Sequence, residues 1–404
     1  MQNISRQINN RSGGKITLER YINLSKKYFE KMKKVRRCLH SNPEIDRNLP
    51  LTSALVKEEL KSIGINYEGF NNSGVLAQIG DSNKVVALRA DMDALEVIDL
   101  KESEYKSKIE GLMHACGHDA HTAIQIGAAN IINDLKDELN GSVRFIFQPA
   151  EETDGGAKDM IEYGCLNNVE AVFGLHVCEQ INVGSIGLKK GVVAAASNPF
   201  KIIVNGKGSH GASPDKGIDA IIIACKIVEN LQILVSRETS ATDSSVITVG
   251  KINGGTAANA VASYVEIGGI IRTLGNDLRS KIVNRVKEVA NYTAQMYGGS
   301  CDVIIMESYP SYENSDKLYD FLSNNIKNND SIGYIELPKP SMGVEDFAYY
   351  AEKVPSLYYR LGCRNESKGV VHPAHGSYFD IDEDCLIYGA AIQAMLAIEY
   401  LKNN

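Results

Sequence analysis

The chain has 404 residues, 44% of them hydrophobic and 23% charged, with a formal net charge of −7. That length exceeds one ordinary core, at roughly one domain per 150 residues, and the composition is that of an ordered enzyme rather than a disordered chain. The acidic balance argues against nucleic acid or an anionic membrane as the main partner, since both require a basic surface, and favours a small-molecule or short-peptide substrate.

Residues 1 to about 16 are polar, lack the apolar segment of a secretory signal and read as a disordered lead-in. No stretch approaches the ~18 apolar residues of a membrane span. The eight cysteines are scattered without a Cys-x-x-Cys pair, which points to a reduced, cytoplasmic location.

Leu18 to His40 has the apolar spacing of a helix that Pro43 should stop, and a lone His40 at its end reads as structural before it reads as a ligand. Leu51 to Ile63 is a second amphipathic helix. Asn83 to Ala90 is a short apolar run, hence a buried strand, delivering Asp91 and Asp93 at its end on one side of the chain.

The next stretch, GLMHACGHDAHT from Gly111 to Thr122, gathers His114, Cys116, His118, Asp119 and His121, three of the chain's eight histidines around one thiol. If Cys116 and His118 bind one metal, their spacing excludes a regular helix between them, so the helix should begin near Asp119 and run to Asp137. Ser142 to Phe147 is a strand ending in QPAEE, where Pro149 takes the chain off the sheet before Glu151 and Glu152. Ala171 to Val177 is another strand, with His176 near its end. Apolar strands thus repeatedly end in ligand-type residues, and open α/β sheets place their sites at that edge.

Glycines 184, 187 and 191 mark an exit from this unit. Strand Phe200–Val204, helix Ile218–Glu238, strands Ser245–Ile252 and Ser263–Arg272, helix Asp277–Met296 and strand Ser300–Met306 then form a compact inserted α+β unit. The chain returns through helix Ser315–Lys327 and closes the first unit with a last helix.

Asp91, Asp93, Cys116, His118, Glu151, Glu152, His176 and a late His372 or His375 are too many charged groups to assemble without cations. One or two divalent ions resolve the crowding. Thiolate with imidazole suits zinc or another late first-row metal, and the carboxylates also admit manganese. A site with an open position would bind water and lower its pKa toward ~7, leaving one of the adjacent glutamates free to move protons, which suits amide hydrolysis.

RADMDAL (89–95), MHACGHDAHT (113–122), FQPAEE with GGA (147–157), GLHV (174–177), GSHGASP (208–214), GGTAANAV (254–261) and SMGVEDFAYY (341–350) resemble the M20 family of metallopeptidases. The similarity is greatest to its amidohydrolase branch, which includes hippurate hydrolases, N-acyl-amino-acid deacylases and auxin-conjugate hydrolases. The resemblance implies an α/β fold, a mixed-sheet metallohydrolase catalytic domain (17–190 and 309–404) with an inserted α+β lid of the dimerisation type (191–308). It implies Cys116, His118, Glu152, His176 and His375 as ligands of one or two divalent ions, zinc or manganese first and cobalt or nickel as alternatives. Glu151 stands as general base toward a metal-activated water, Asp91 as a catalytic-site Asp, and Asp93 where relatives orient a ligand. His375 is preferred to His372 because the branch pattern is His-x-Pro-x-Phe, although Ser377 replaces that Pro.

From the lid, His210 and Asn259 are expected to stabilise the oxyanion, in some relatives from a dimer partner, so a homodimer or higher homo-oligomer is expected. The implied activity is hydrolysis of N-acyl amino acids, acetyl or aromatic. The alternatives are a dipeptidase or aminopeptidase of the same fold, or a non-catalytic metal-binding protein.

Overall fold

The structure, a computed structural model, describes residues 18–403 apart from Asn72, Asp154 and Asn328. The expected lead-in, residues 1 to about 16, lies outside the described residues.

The larger unit is built on an eight-stranded mixed sheet. Its strands run in the order Tyr67–Phe70, Gly74–Ile79, Ser142–Gln148, Val85–Asp91, Val169–Asn182, Ser356–Arg364, Ser185–Leu188 and Gly333–Glu336. The four strands from Ser142–Gln148 to Ser356–Arg364 pair in parallel. Val85–Asp91 is buried at every position, as its apolar start Val85–Leu88 requires of a strand covered on both faces, and Arg89 and Asp91 are buried with it. Helix His118–Asp134, buried from His118 to Ile132, packs beside this strand and against the C-terminal helix Cys385–Asn403.

Two sequence expectations change here. The first helix is two, Leu18–Lys27 and Phe29–Ser41, because Tyr28 leaves helical geometry (φ −104°, ψ 4°) and anchors its hydroxyl on Asp134 at 2.7 Å. The bend lets the first piece pack on Cys385–Asn403 and the second on His118–Asp134. In addition, Cys385–Asn403 is long and apolar enough to cross a membrane, with mean hydropathy 1.3, against the expectation of no such stretch. Its apolarity goes into the core, where Leu386, Ile392, Met395, Leu396 and Ile398 are fully buried.

The smaller unit is a four-stranded antiparallel sheet in the order Ser245–Gly254, Tyr264–Thr273, Ala196–Asn205 and Ser300–Ile305. Along Ala196–Asn205 the buried residues Phe200, Ile202 and Val204 alternate with half-buried ones, as in a sheet covered on one face. Helices Ala220–Ile233 and Asn276–Met296 supply that cover, forming a core separate from the larger unit's two. Gly191–Ala194 pairs with Tyr312–Asn314, so the chain's exit to the lid and its return lie side by side.

Candidate metal centre

Parallel strands bring their carboxyl ends to one edge, and the turn before His118–Asp134 faces the same edge. Gly117 makes this turn possible: at φ +90° it caps the helix, and a Cβ there would sit 2.4 Å from a Val177 methyl. Cys116 therefore stands outside the helix and His118 at its first residue, one position earlier than the sequence suggested, and both turn toward His176.

The ligand-type atoms converge. Those of Cys116, His118 and His176 lie within 4.8 Å of one another, as do those of Cys116, Glu152 and His375, and those of His118, Glu151 and Glu152. The Cys116 sulfur lies 3.3 Å from both His176 Nε2 and His375 Nε2, and His375 Nε2 lies 3.4 Å from Glu152 Oε1. Ring orientation is fixed from behind. His118 Nδ1 donates to the Asp93 carbonyl at 2.8 Å and His176 Nδ1 to the Val177 carbonyl at 2.7 Å, so each Nε2 lone pair faces the cluster.

Asp93 acts as a clamp: its carboxylate accepts the Glu151 and Glu152 amides, both at 3.0 Å, and holds the turn that aims the two glutamates. Backbone strain collects here too, with Ala150 at φ +55° just before Glu151 and His375 itself at φ +63°.

These residues fit a metal on two grounds. His118 Nε2 and Glu152 Oε1 are buried, lack any hydrogen-bond partner and stand 3.9 Å apart, which is costly unless a cation joins them. Burial, and then the Glu152 charge, push the Cys116 thiol well above its ordinary range, a cost that a cation sharing the site would offset. Burial followed by Glu345, Asp346 and Glu152 likewise pushes the Glu151 carboxyl well up. A cavity of about 650 Å³ opens over Cys116, Glu151, Glu152, His176 and His375.

Behind the glutamates lies a second layer whose roles the sequence did not suggest. Arg89, fully buried, binds Asp91 and Asp346, each at 2.5 Å, Glu345 at 3.1 Å and Gln148 at 2.9 Å. Glu345 also accepts from Tyr358, and Tyr309 donates to the Glu151 carbonyl at 2.6 Å. Glu345 and Asp346 sit in the SMGVEDFAYY motif, which was the available signal. Replacing Arg89 by Met should cost about 3 kcal/mol or more, because it strands buried carboxylates, and Arg89→Lys should lose less. Urea unfolding of the catalytic unit checks this, and an unchanged midpoint in the Met variant would refute it.

Other expected residues take different places. Asp91 is fully buried below the cavity, bound to Arg89 and to His121 Nδ1, with its nearest carboxylate oxygen 3.8 Å from His118 Nε2. The other nitrogen of His121 accepts the Val177 amide at 2.9 Å, so this ring braces the turn. Asp119 pairs with Arg36 and His40, and Lys101 completes that buried network, which keeps His40 out of the cluster. His114 is buried with both ring nitrogens unpartnered, and burial pushes its pKa down to about 3, leaving it neutral. His372 is exposed and lies tilted against Tyr378, whereas His375 faces Cys116. His210 and Asn259 adjoin each other on the exposed lid pair Ser209–His210 and Ala260–Val261, and neither lines the cavity.

Comparison with known proteins gives the family. A model of peptidase family M20/M25/M40 matches residues 87–399. IAA-amino acid hydrolase ILR1-like 4 of Arabidopsis thaliana is 39% identical over 393 residues, 95% of this chain and 89% of its own length. Thermostable carboxypeptidase 2 of Saccharolobus solfataricus is 39% identical over 373 residues, 91% of this chain and 94% of its own. The crystal structure of the Bacillus subtilis YXEP protein, described as a dinuclear metal binding peptidase, is similar with a TM-score of 0.83 and 31% identity, over 94% of this chain and 100% of that one. Sheet, lid and convergent ligands define a metal-dependent hydrolase acting on amide bonds. The chain belongs to peptidase family M20/M25/M40.

Proposed function

We propose that the protein hydrolyses the amide bond of N-acyl amino acids, acetyl or aromatic. The observation that carries this reading is the convergence of Cys116, His118, Glu152, His176 and His375 beneath a cavity into which Glu151 also opens. These five residues would hold one or two divalent ions, zinc or manganese first, with the Cys116 sulfur 3.3 Å from both His176 Nε2 and His375 Nε2. When bound, the metal supplies Lewis acidity that brings the pKa of water toward neutrality and polarises the scissile carbonyl.

Glu151 takes the proton from the attacking water and returns it to the departing amine. Its backbone is held by Asp93 and Tyr309, and the Asp346 amide lies 3.4 Å from one of its oxygens. His210 and Asn259 would stabilise the developing oxyanion, reaching it by lid closure or from a second copy of the chain, which supports a homodimer. The scattered, unpaired cysteines support a reducing, cytoplasmic setting.

The relative named as an IAA-amino acid hydrolase supports an amino acid conjugate as substrate, and the one named as a carboxypeptidase supports a peptide. A hydrolysis panel of N-acetyl amino acids, N-benzoylglycine, an indole-3-acetyl amino acid and free dipeptides, with added zinc or manganese, separates them. N-acyl amino acids should turn over at least tenfold faster than free dipeptides. The reverse order would make the protein a peptidase, and no turnover of any would sink the enzyme reading.

A further inference from the structure

Arg360 lies on strand Ser356–Arg364, in register beside His176 on Val169–Asn182 and opposite Gly187 on Ser185–Leu188. Residues paired across parallel strands, about 4.8 Å apart, send their side chains to the same face of the sheet. The Arg360 guanidinium therefore emerges on the face of the His176 ring, and both line the cavity over the cluster.

Among the described residues no carboxylate stands within ion-pair distance of Arg360 and no acceptor within hydrogen-bonding distance. Its near company is the Tyr358 ring, 5.9 Å from the guanidinium carbon. Tyr312, packed edge-on against that same ring, has a buried hydroxyl that also lacks a partner. The contrast with Arg89 is informative: that guanidinium, one layer below, is matched by Asp91, Glu345, Asp346 and Gln148. A half-buried guanidinium left unmatched in a cavity wall loses hydration without recovering it from the protein.

The sheet order adds direction. Beyond the Arg360 strand come Ser185–Leu188 and Gly333–Glu336, and the residues that follow them, Lys189 and Lys339, line the same cavity. The cavity thus carries, besides the ligand cluster and the carboxylates of Glu179 and Glu345, three cations, Arg360, Lys189 and Lys339.

We propose that Arg360 is a specificity-determining residue that binds the carboxylate of the substrate, with Lys189 and Lys339 adding positive potential. This deepens the N-acyl amino acid reading and rests on it: the amide sits at the ligand cluster and the carboxylate, a few bonds away, meets the planar donor fork of the arginine.

The test compares N-benzoylglycine with its uncharged carboxamide, N-benzoylglycinamide, on the metal-loaded enzyme. The wild type should prefer the acid. Arg360→Gln should raise KM for the acid about ten- to a hundredfold while leaving kinetics on the carboxamide nearly unchanged, and Arg360→Lys should recover part of the loss. A wild type indifferent to the carboxylate, or a Gln variant that keeps the preference, would overturn the proposal. If the wild type hydrolyses neither compound, calorimetric titration with N-benzoylglycine decides separately. Binding to the wild type that Arg360→Gln weakens tenfold or more keeps the anion site while the amidohydrolase reading falls, and any other result removes the site as well.

Discussion

Glu151→Gln should lower kcat by about two to four orders of magnitude, with KM little changed and with thermal stability equal to or above that of the wild type. The two halves of this expectation come from one arrangement. Glu151 is nearly inaccessible, and one of its oxygens lies within 4.8 Å of both a Glu345 and an Asp346 oxygen. Three carboxylates at that spacing resist joint ionisation, so a neutral amide of the same shape relieves repulsion. Burial, and then that crowding, raise the proton affinity of Glu151, which a base that must accept a proton and then release it to an amine requires. A residue of purely structural importance would give the opposite pattern, a lowered melting temperature with activity retained in the folded fraction. Near-normal turnover by the variant would remove Glu151 from the chemistry.

Which features the sequence disclosed follows from the range of the interactions involved. The buried strand Val85–Asp91 and the turn before His118 are written locally, in a short apolar run and in a dense ligand vocabulary, and so could be read without a partner. Arg89 and Asp346 lie 257 positions apart, and nothing in either neighbourhood announces a shared ion pair. The same holds for Arg360, whose relation to His176 exists only in the register of two parallel strands. The spacing of Asp91 and Asp93 predicts a pair leaving one side of a strand, but the strand ends at Asp91, after which their tasks diverge into pairing with Arg89 and clamping the Glu151–Glu152 turn.

The hairpin partner Tyr67–Phe70 escaped because its residues are mostly exposed and carry no apolar alternation. The break at Tyr28 escaped because helical periodicity continues across it, and only the packing of each piece against a different helix reveals the bend. His375 and His372 are indistinguishable by residue type. What separates them is a left-handed backbone at His375 whose amide is tied to the Ala115 carbonyl at 2.8 Å, directing that ring and not the other toward Cys116.

Rigorous removal of divalent metal should abolish amide hydrolysis and also lower the melting temperature by several degrees, with both restored by added zinc or manganese. The stability change follows from the groups that would be left behind. Glu152 Oε1 and His118 Nε2 are buried without hydrogen-bond partners, and Glu151 stands beside Glu152, so the empty cluster holds unsatisfied acceptors and repelling charges in a dry place. An ion that binds only the folded chain at a thousandfold excess over its Kd contributes about 4 kcal/mol. The sign with pH can be stated as well. Ligation needs neutral imidazole, thiolate and carboxylate, and protons compete for all three, so the rise in melting temperature on adding metal should shrink as pH falls from 8 to 5. Calorimetric scans of chelated and reloaded protein across that range measure it. A chelated protein that keeps full activity would sink the metal mechanism. One that loses activity but melts at the same temperature at every pH would mean that the ions bind weakly or outside the cluster of Cys116, His118, Glu152, His176 and His375.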